Sequence, residues 1–151
     1  MANTQAFCTS AKVDLLNGLH AFGASVVRGT TAKDSFKGAL YLATATVNST
    51  TTAYSATGEA SGTGYTATGV AVTNATAPSS TGTTAFWTPS ASLAWTTVTL
   101  TAVDAVLVYN DTAAGKNAVS VHTFGSQTVT AGNFTLTMPA NDATNALLRL
   151  A

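Results

Sequence analysis

Charge is what this sequence has least of. Its 151 residues include six Lys and Arg and six Asp and Glu, 8% of the chain, with a net charge of zero. An ordinary soluble domain carries about 25%. Nucleic acid is offered no basic patch, and a membrane surface no basic amphipathic helix, so neither is expected as a partner. Long apolar runs are also missing: none approaches the roughly 20 residues that cross a bilayer. The single cysteine, Cys8, excludes an intramolecular disulfide. It reads as a small, half-buried side chain near a helix start, with an intermolecular bridge as the lesser alternative. His20, His122 and Cys8 are too scattered to show metal-ligand spacing, so no metal and no other cofactor is expected. The opening Met1-Ala2-Asn3-Thr4 has neither a basic n-region nor an apolar h-region, which predicts a protein used without secretion. On that expectation the sequons at Asn48, Asn74, Asn110 and Asn133 carry no meaning.

In place of charge stand Thr, Ala, Ser, Asn and Gly. Thr alone accounts for 30 residues, and its β-branched side chain favours strands. Hydrophobic residues make up 46% of the chain, enough for a core, and the length suits one domain spanning 1–151. Low charge density at zero net charge gives little self-repulsion and favours association.

One helix is expected, over residues 10–22, after an extended arm at 1–9. Thr9 or Ser10 supplies the N-cap. Ala11, Leu15, Leu19 and Phe22 follow at helical spacing, widened by Leu16, and Gly23 ends the helix. Gly18 weakens it. His20 falls near its C-terminus, where the positive form of the ring is favoured.

From Phe36 the period changes to two. Phe36, Gly38, Leu40 and Leu42 point one way, with Lys37, Ala39 and Tyr41 on the other side. Further runs lie at Val70–Val72, Phe86-Trp87 and Val98–Leu100. Ala105–Tyr109 is apolar on both faces, as in a central strand. Val119–Thr123, Phe134–Met138 and Leu148–Leu150 complete the series. Turn signals separate the runs at Gly62-Thr63-Gly64, Pro78-Ser79-Ser80, Asn110-Asp111, Gly115-Lys116-Asn117, Gly125-Ser126 and Ala131-Gly132-Asn133. Asn48–Ser61 and Pro78–Thr84 read as loops or an exposed edge. Seven to nine short strands after one helix predict an all-β fold: a β-sandwich over 35–151, with a jelly roll as one form of it and a closed barrel as the alternative.

No catalytic constellation stands out. The carboxylates Asp14, Asp34, Glu59, Asp104, Asp111 and Asp142 show no pairing on one element. There is no Gly-x-Ser-x-Gly elbow. The stretch Gly58–Gly64 lacks the lysine of a phosphate loop, so its glycines are expected to supply positive φ or close backbone approach. Catalytic, cofactor-binding and metal residues are therefore expected to be none, and no binding residue can be nominated. The remaining chemical candidate is an aromatic sugar-binding platform drawn from Trp87, Trp95, Tyr41, Tyr54, Tyr65 and Tyr109.

A succession of short motifs runs along the chain. Ser10-Ala11-Lys12-x-x-Leu15-Leu16-Asn17-Gly18 opens it, followed by Asp34-Ser35-Phe36-Lys37-Gly38-Ala39-Leu40-Tyr41 and Glu59-Ala60-Ser61-Gly62-Thr63-Gly64-Tyr65-Thr66. Later come Ala105-Val106-Leu107-Val108-Tyr109-Asn110, Ala118-Val119 to Phe124-Gly125, Phe134-Thr135-Leu136-Thr137-Met138-Pro139 and Leu147-Leu148-Arg149-Leu150. In this order they resemble small structural proteins of tailed bacteriophages. The resemblance implies a virion component made in the host cytoplasm, with no catalytic residues to carry over. The leading expectation is a capsid decoration or cement protein on the capsid exterior, with the major capsid protein as partner and self-association as a dimer or trimer. The alternative is a tail, neck or fibre component, such as a glycan-binding adhesin. An enzyme such as a depolymerase is the third reading.

Overall fold

The computed structural model describes residues 3–8, 10–11, 15, 19–22 and 33–150. Eight strands are found among them: β1 (Ala6–Phe7), β2 (Phe36–Leu42), β3 (Val70–Ala71), β4 (Ser79–Thr81), β5 (Thr84–Trp87), β6 (Leu93–Asn110), β7 (Ala118–Leu136) and β8 (Leu148–Leu150). They form two antiparallel sheets, one of five strands in the order β1-β7-β6-β2-β3 and one of three in the order β4-β5-β8. The all-β, sandwich-like arrangement agrees with the expectation. Neither sheet closes into a barrel among the described residues.

The larger sheet is buried on both faces because its central strands are apolar on both faces. From β2, Phe36 and Leu40 enter one cluster, and Ala39 and Tyr41 enter the other. From β6, Val106 and Val108 join the first, and Ala105, Leu107 and Tyr109 the second. The first cluster meets Trp87 of β5 and Leu148 of β8, so it lies between the sheets. The second is covered by Cys8 and Ala11 near the N-terminus and by Ala45, Val47 and Tyr54 of the β2–β3 connection. Fourteen of the apolar side chains in the first cluster are buried. Burial of Val, Leu or Phe at such a site stabilises by about 1.5–3 kcal/mol each.

Of the helix expected over 10–22, residues 12–14 and 16–18 lie outside the described residues, while Ser10, Ala11 and Leu15 have helical backbone. Where its C-terminal end is described, Leu19–Phe22 are not helical. There His20 turns into the interior, with its ring Nδ1 3.0 Å from Asn110 Nδ2, and Phe22 stacks on Phe36 with ring centroids 4.8 Å apart. Inter-sheet packing of these rings takes the place of a helix terminus. The described part of the arm, residues 3–8, is docked on its own chain. Ala6 pairs with Val121 and Phe7 with Ser120, while Thr4 N donates to Val47 O at 3.1 Å and Cys8 N to Val119 O at 3.0 Å. Asn3 donates to the Asp104 carboxylate and to Leu42 O, and accepts from Val47 N.

Two further expectations are corrected. Pro78–Thr84 is not a plain loop: Ser79–Thr81 and Thr84–Trp87 form a hairpin, with Gly82 in its turn at φ 58°. The runs at Val98–Leu100 and Ala105–Tyr109 are one strand of 18 residues, and those at Val119–Thr123 and Phe134–Met138 fall on one strand of 19 that ends at Leu136. The turn signals at Gly125-Ser126 and Ala131-Gly132-Asn133 lie inside β7 as bulges. Each bulge adds residues on one strand without breaking the ladder.

Candidate functional site: a sheet edge and its cleft

The β6–β7 ribbon is built around residues with left-handed backbone. Thr97 (φ 53°) and Ala102 (φ 52°) on β6 alternate with Ala131 (φ 45°) and Gly125 (φ 77°) on β7, and the β6–β7 register shifts at each. Three of the four bulge amides are held by a side chain from across the ladder. Thr97 N donates to Asn133 Oδ1 at 3.1 Å, Ala102 N to Thr128 Oγ1 at 3.2 Å, and Ala131 N to Thr99 Oγ1 at 3.1 Å. The Thr and Asn that replace charge in the composition thus satisfy backbone groups that a bulge would otherwise leave unpaired. The shifts also keep the apolar residues on one face: Leu93, Trp95, Val98, Leu100, Val103, Val106 and Val108 all belong to the inter-sheet cluster, at spacings of two and three.

β7 borders open space. Its outer edge is covered only at its start, by β1 at Val121 and Ser120 and by backbone bonds from Cys8 N to Val119 O and from Ala118 N to Thr52 O. From Thr123 to Leu136 no backbone hydrogen bond reaches that edge among the described residues. The inward side chains Phe124, Val129, Phe134 and Leu136 are half-buried against the core. Phe134 sits 5.8 Å from the Trp95 ring and 5.4 Å from that of Phe124, measured between centroids. A cavity of about 220 Å³ follows this edge between Phe124, Leu136, Met138 and Leu147. It leads past His122 toward a wider cleft of about 690 Å³, lined by Gln5 and Phe7 of the arm, Ser120 and His122 of β7, and Asn145, Leu148 and Arg149.

Four polar side chains of the cleft, Ser120, His122, Asn145 and Arg149, are engaged within the chain. His122 Nε2 is 2.9 Å from Ser120 Oγ, and burial pushes the imidazole down to about 4, so it is neutral at pH 7. A neutral imidazole beside a hydroxyl is the geometry of a base and its nucleophile. Ser120, however, is only 1% exposed, so its hydroxyl serves as a fixed partner of the ring. Arg149 Nη1 donates to Thr144 O at 2.6 Å, and Asn145 donates to the Asp142 carboxylate at 3.0 Å.

Sequence reasoning missed a second cluster, in which all four tyrosines meet around Glu59. Glu59 Oε2 accepts from Tyr54 OH at 2.6 Å, and Oε1 accepts from Tyr65 OH at 2.8 Å and Thr68 N at 2.8 Å. Tyr65 OH in turn accepts from Leu40 N at 3.0 Å, and Tyr109 OH donates to Thr68 O at 2.8 Å. Tyr41 OH donates to Ser55 O. Burial pushes Tyr41 and Tyr109 up to about 12; burial followed by the Glu59 carboxylate pushes Tyr54 up, and burial first also raises Tyr65. The cluster pins the 53–69 connection to the sheet. The accompanying glycines are needed for close approach: a Cβ at Gly62 would stand 1.9 Å from Thr99 O, and one at Gly64 2.4 Å from Thr97 O. The sequence carried a faint signal for this, a lone Glu between tyrosines at Tyr54 and Tyr65.

The other singled-out residues are dispersed. Asp34 Oδ2 accepts from Ala21 N and Asn110 Nδ2. Asp111 pairs with Lys116 at 2.7 Å and Lys37 at 3.3 Å, and Asp14 lies outside the described residues. Among the described residues no three of His, Cys, Asp and Glu stand together as metal ligands. Cys8 is fully buried rather than half-buried, with Sγ 3.7 Å from Asn48 O, and burial pushes its thiol up to about 11. That position gives an intermolecular bridge no access. Trp87 and Trp95 are both 3% exposed, and Tyr41 and Tyr109 are buried, so the alternative of an aromatic platform built on these rings does not form. Trp87 and Trp95 belong instead to the inter-sheet core, and Tyr41 and Tyr109 to the second one. No family model matches the chain, and no curated protein or solved structure matches it.

Proposed function

We propose that the protein is a structural component of a bacteriophage virion, most simply a decoration or cement protein that docks on the outer capsid lattice and stabilises it. The observation that carries this reading is the long β6–β7 ribbon. Its strands of 18 and 19 residues contain one charged residue, Asp104, and they present hydroxyl-rich surface and an open edge on a scaffold buried on both faces. Rigid, uncharged surface of this kind suits permanent packing against other protein, where contacts add by mass action. Resemblance of the motif series to small tailed-phage structural proteins supports the same reading.

The test is to mix purified protein with capsids that lack it and to follow co-sedimentation while sodium chloride rises from about 0.1 M to about 1 M, which shortens the Debye length from roughly 10 Å to 3 Å. Binding that holds across this range is expected. Failure to bind at any salt concentration overturns the lattice assignment. Copy number in purified particles then places the protein: a simple fraction of the major capsid protein fits the lattice, and a few dozen copies fit the neck, tail or fibres.

A further inference from the structure

We propose that the open edge of β7 is a self-association surface, on which two copies pair their Gly132–Leu136 segments antiparallel about a two-fold axis and join their larger sheets into one. An unpaired strand edge presents alternating N–H and C=O groups that another strand satisfies fully. Proteins that must stay apart block such an edge with charge or proline. Here the sequence from Ala118 to Met138 holds no Asp, Glu, Lys, Arg or Pro. The bulges at Gly125 and Ala131 interrupt it, and β7 itself carries no extra residue from Gly132 to Leu136. The β6 register is regular from Phe134 to Leu136, with Trp95 opposite Phe134, Ala94 opposite Thr135 and Leu93 opposite Leu136, and the next shift, between Trp95 and Val98, adds its residue on β6.

A second copy is the occupant that fits best, because the run is complementary to itself. Centred on Phe134, antiparallel pairing places Phe134 against Phe134 and small Gly132 against large Leu136 on the inner face. On the outer face it sets Asn133 against Thr135. The inner-face rings and Leu136 are only half-buried, and a neighbouring strand would cover more of them. Zero net charge adds no repulsion between copies. Isologous pairing of this kind closes at two copies. It does not depend on where in a particle the protein sits.

Sedimentation velocity of the full chain, from about 1 µM to about 300 µM, tests the proposal; a short strand pair lies at the small end of interface sizes and should associate in this range. The mean mass is expected to rise from 15.1 kDa toward twice that value. Thr135 and Thr137 are exposed and make no side-chain hydrogen bond among the described residues, so the double variant T135K/T137K should keep the fold, checked by circular dichroism, and should remain monomeric. Amide exchange supplies the second readout: protection at 132–136 should grow with concentration in the wild type and not in the variant. A wild-type chain that stays monomeric, a variant that still dimerises, or concentration-dependent protection elsewhere would overturn the proposal.

Discussion

Replacing Glu59 with alanine strips the acceptor from two phenols and one backbone amide at once. Half-buried donors left without a partner cost about 1–3 kcal/mol each at the upper end, so E59A is expected to lose about 3 kcal/mol of stability in urea unfolding. Tyr65→Phe, which orphans Leu40 N, should lose about 1–2 kcal/mol. The same cluster sets an alkaline limit. The phenols have raised pKa values in the folded state, so their stabilising effect is complete below the unfolded value near 10 and is lost as pH climbs toward 12. Phenolate absorbance of the folded protein should therefore stay flat to about pH 11. His122 acts at the other end of the scale. Its folded pKa lies near 4, below the usual 6.5, so at neutral pH it makes no difference. As pH falls from about 6.5 toward 4 the unfolded chain takes up the proton first, and stability drops by on the order of 1–3 kcal/mol. H122Q should lack that slope in chemical denaturation at stepped pH.

Elements carry the next set of effects. Ala131 holds a left-handed backbone without being glycine, so Ala131→Gly should raise the melting temperature, by about 1 kcal/mol in stability. Gly62→Ala forces a Cβ against Thr99 O and should be among the most damaging small substitutions, costing more than about 3 kcal/mol. Much of this architecture was legible beforehand. The two-sided alternation of Phe36–Leu42 and the doubly apolar Ala105–Tyr109 run identified the central strands, because period and hydropathy directly encode which face is buried. The continuity of β6 and β7 was not legible. Gly125 and the Ala131-Gly132-Asn133 stretch have the composition of turns, and a bulge recruits the same residues because it too needs positive φ. Glu59 escaped notice for another reason: its partners come together through tertiary contact, which no local pattern records. The arm was expected to be extended, but where it is anchored was not legible, because its partners lie 39 or more positions away.

At the scale of the whole molecule, one sheet acts as the middle layer between two cores, and among the described residues its Thr123–Leu136 flank remains unpaired. Whichever surface the protein meets, that flank is where backbone is on offer. The bulges set a further property of the chain: which changes of length it can absorb. Loss of one residue at Ala131 would remove the extra unit and leave Val129 and Gly132 two apart, still facing Leu100 and Val98 across the ladder. Loss of one residue at Thr135 would instead turn Leu136 to solvent, since neighbours on a strand face opposite ways. Natural variants of this ribbon should therefore gain and lose single residues at the four left-handed positions and keep a constant count between them.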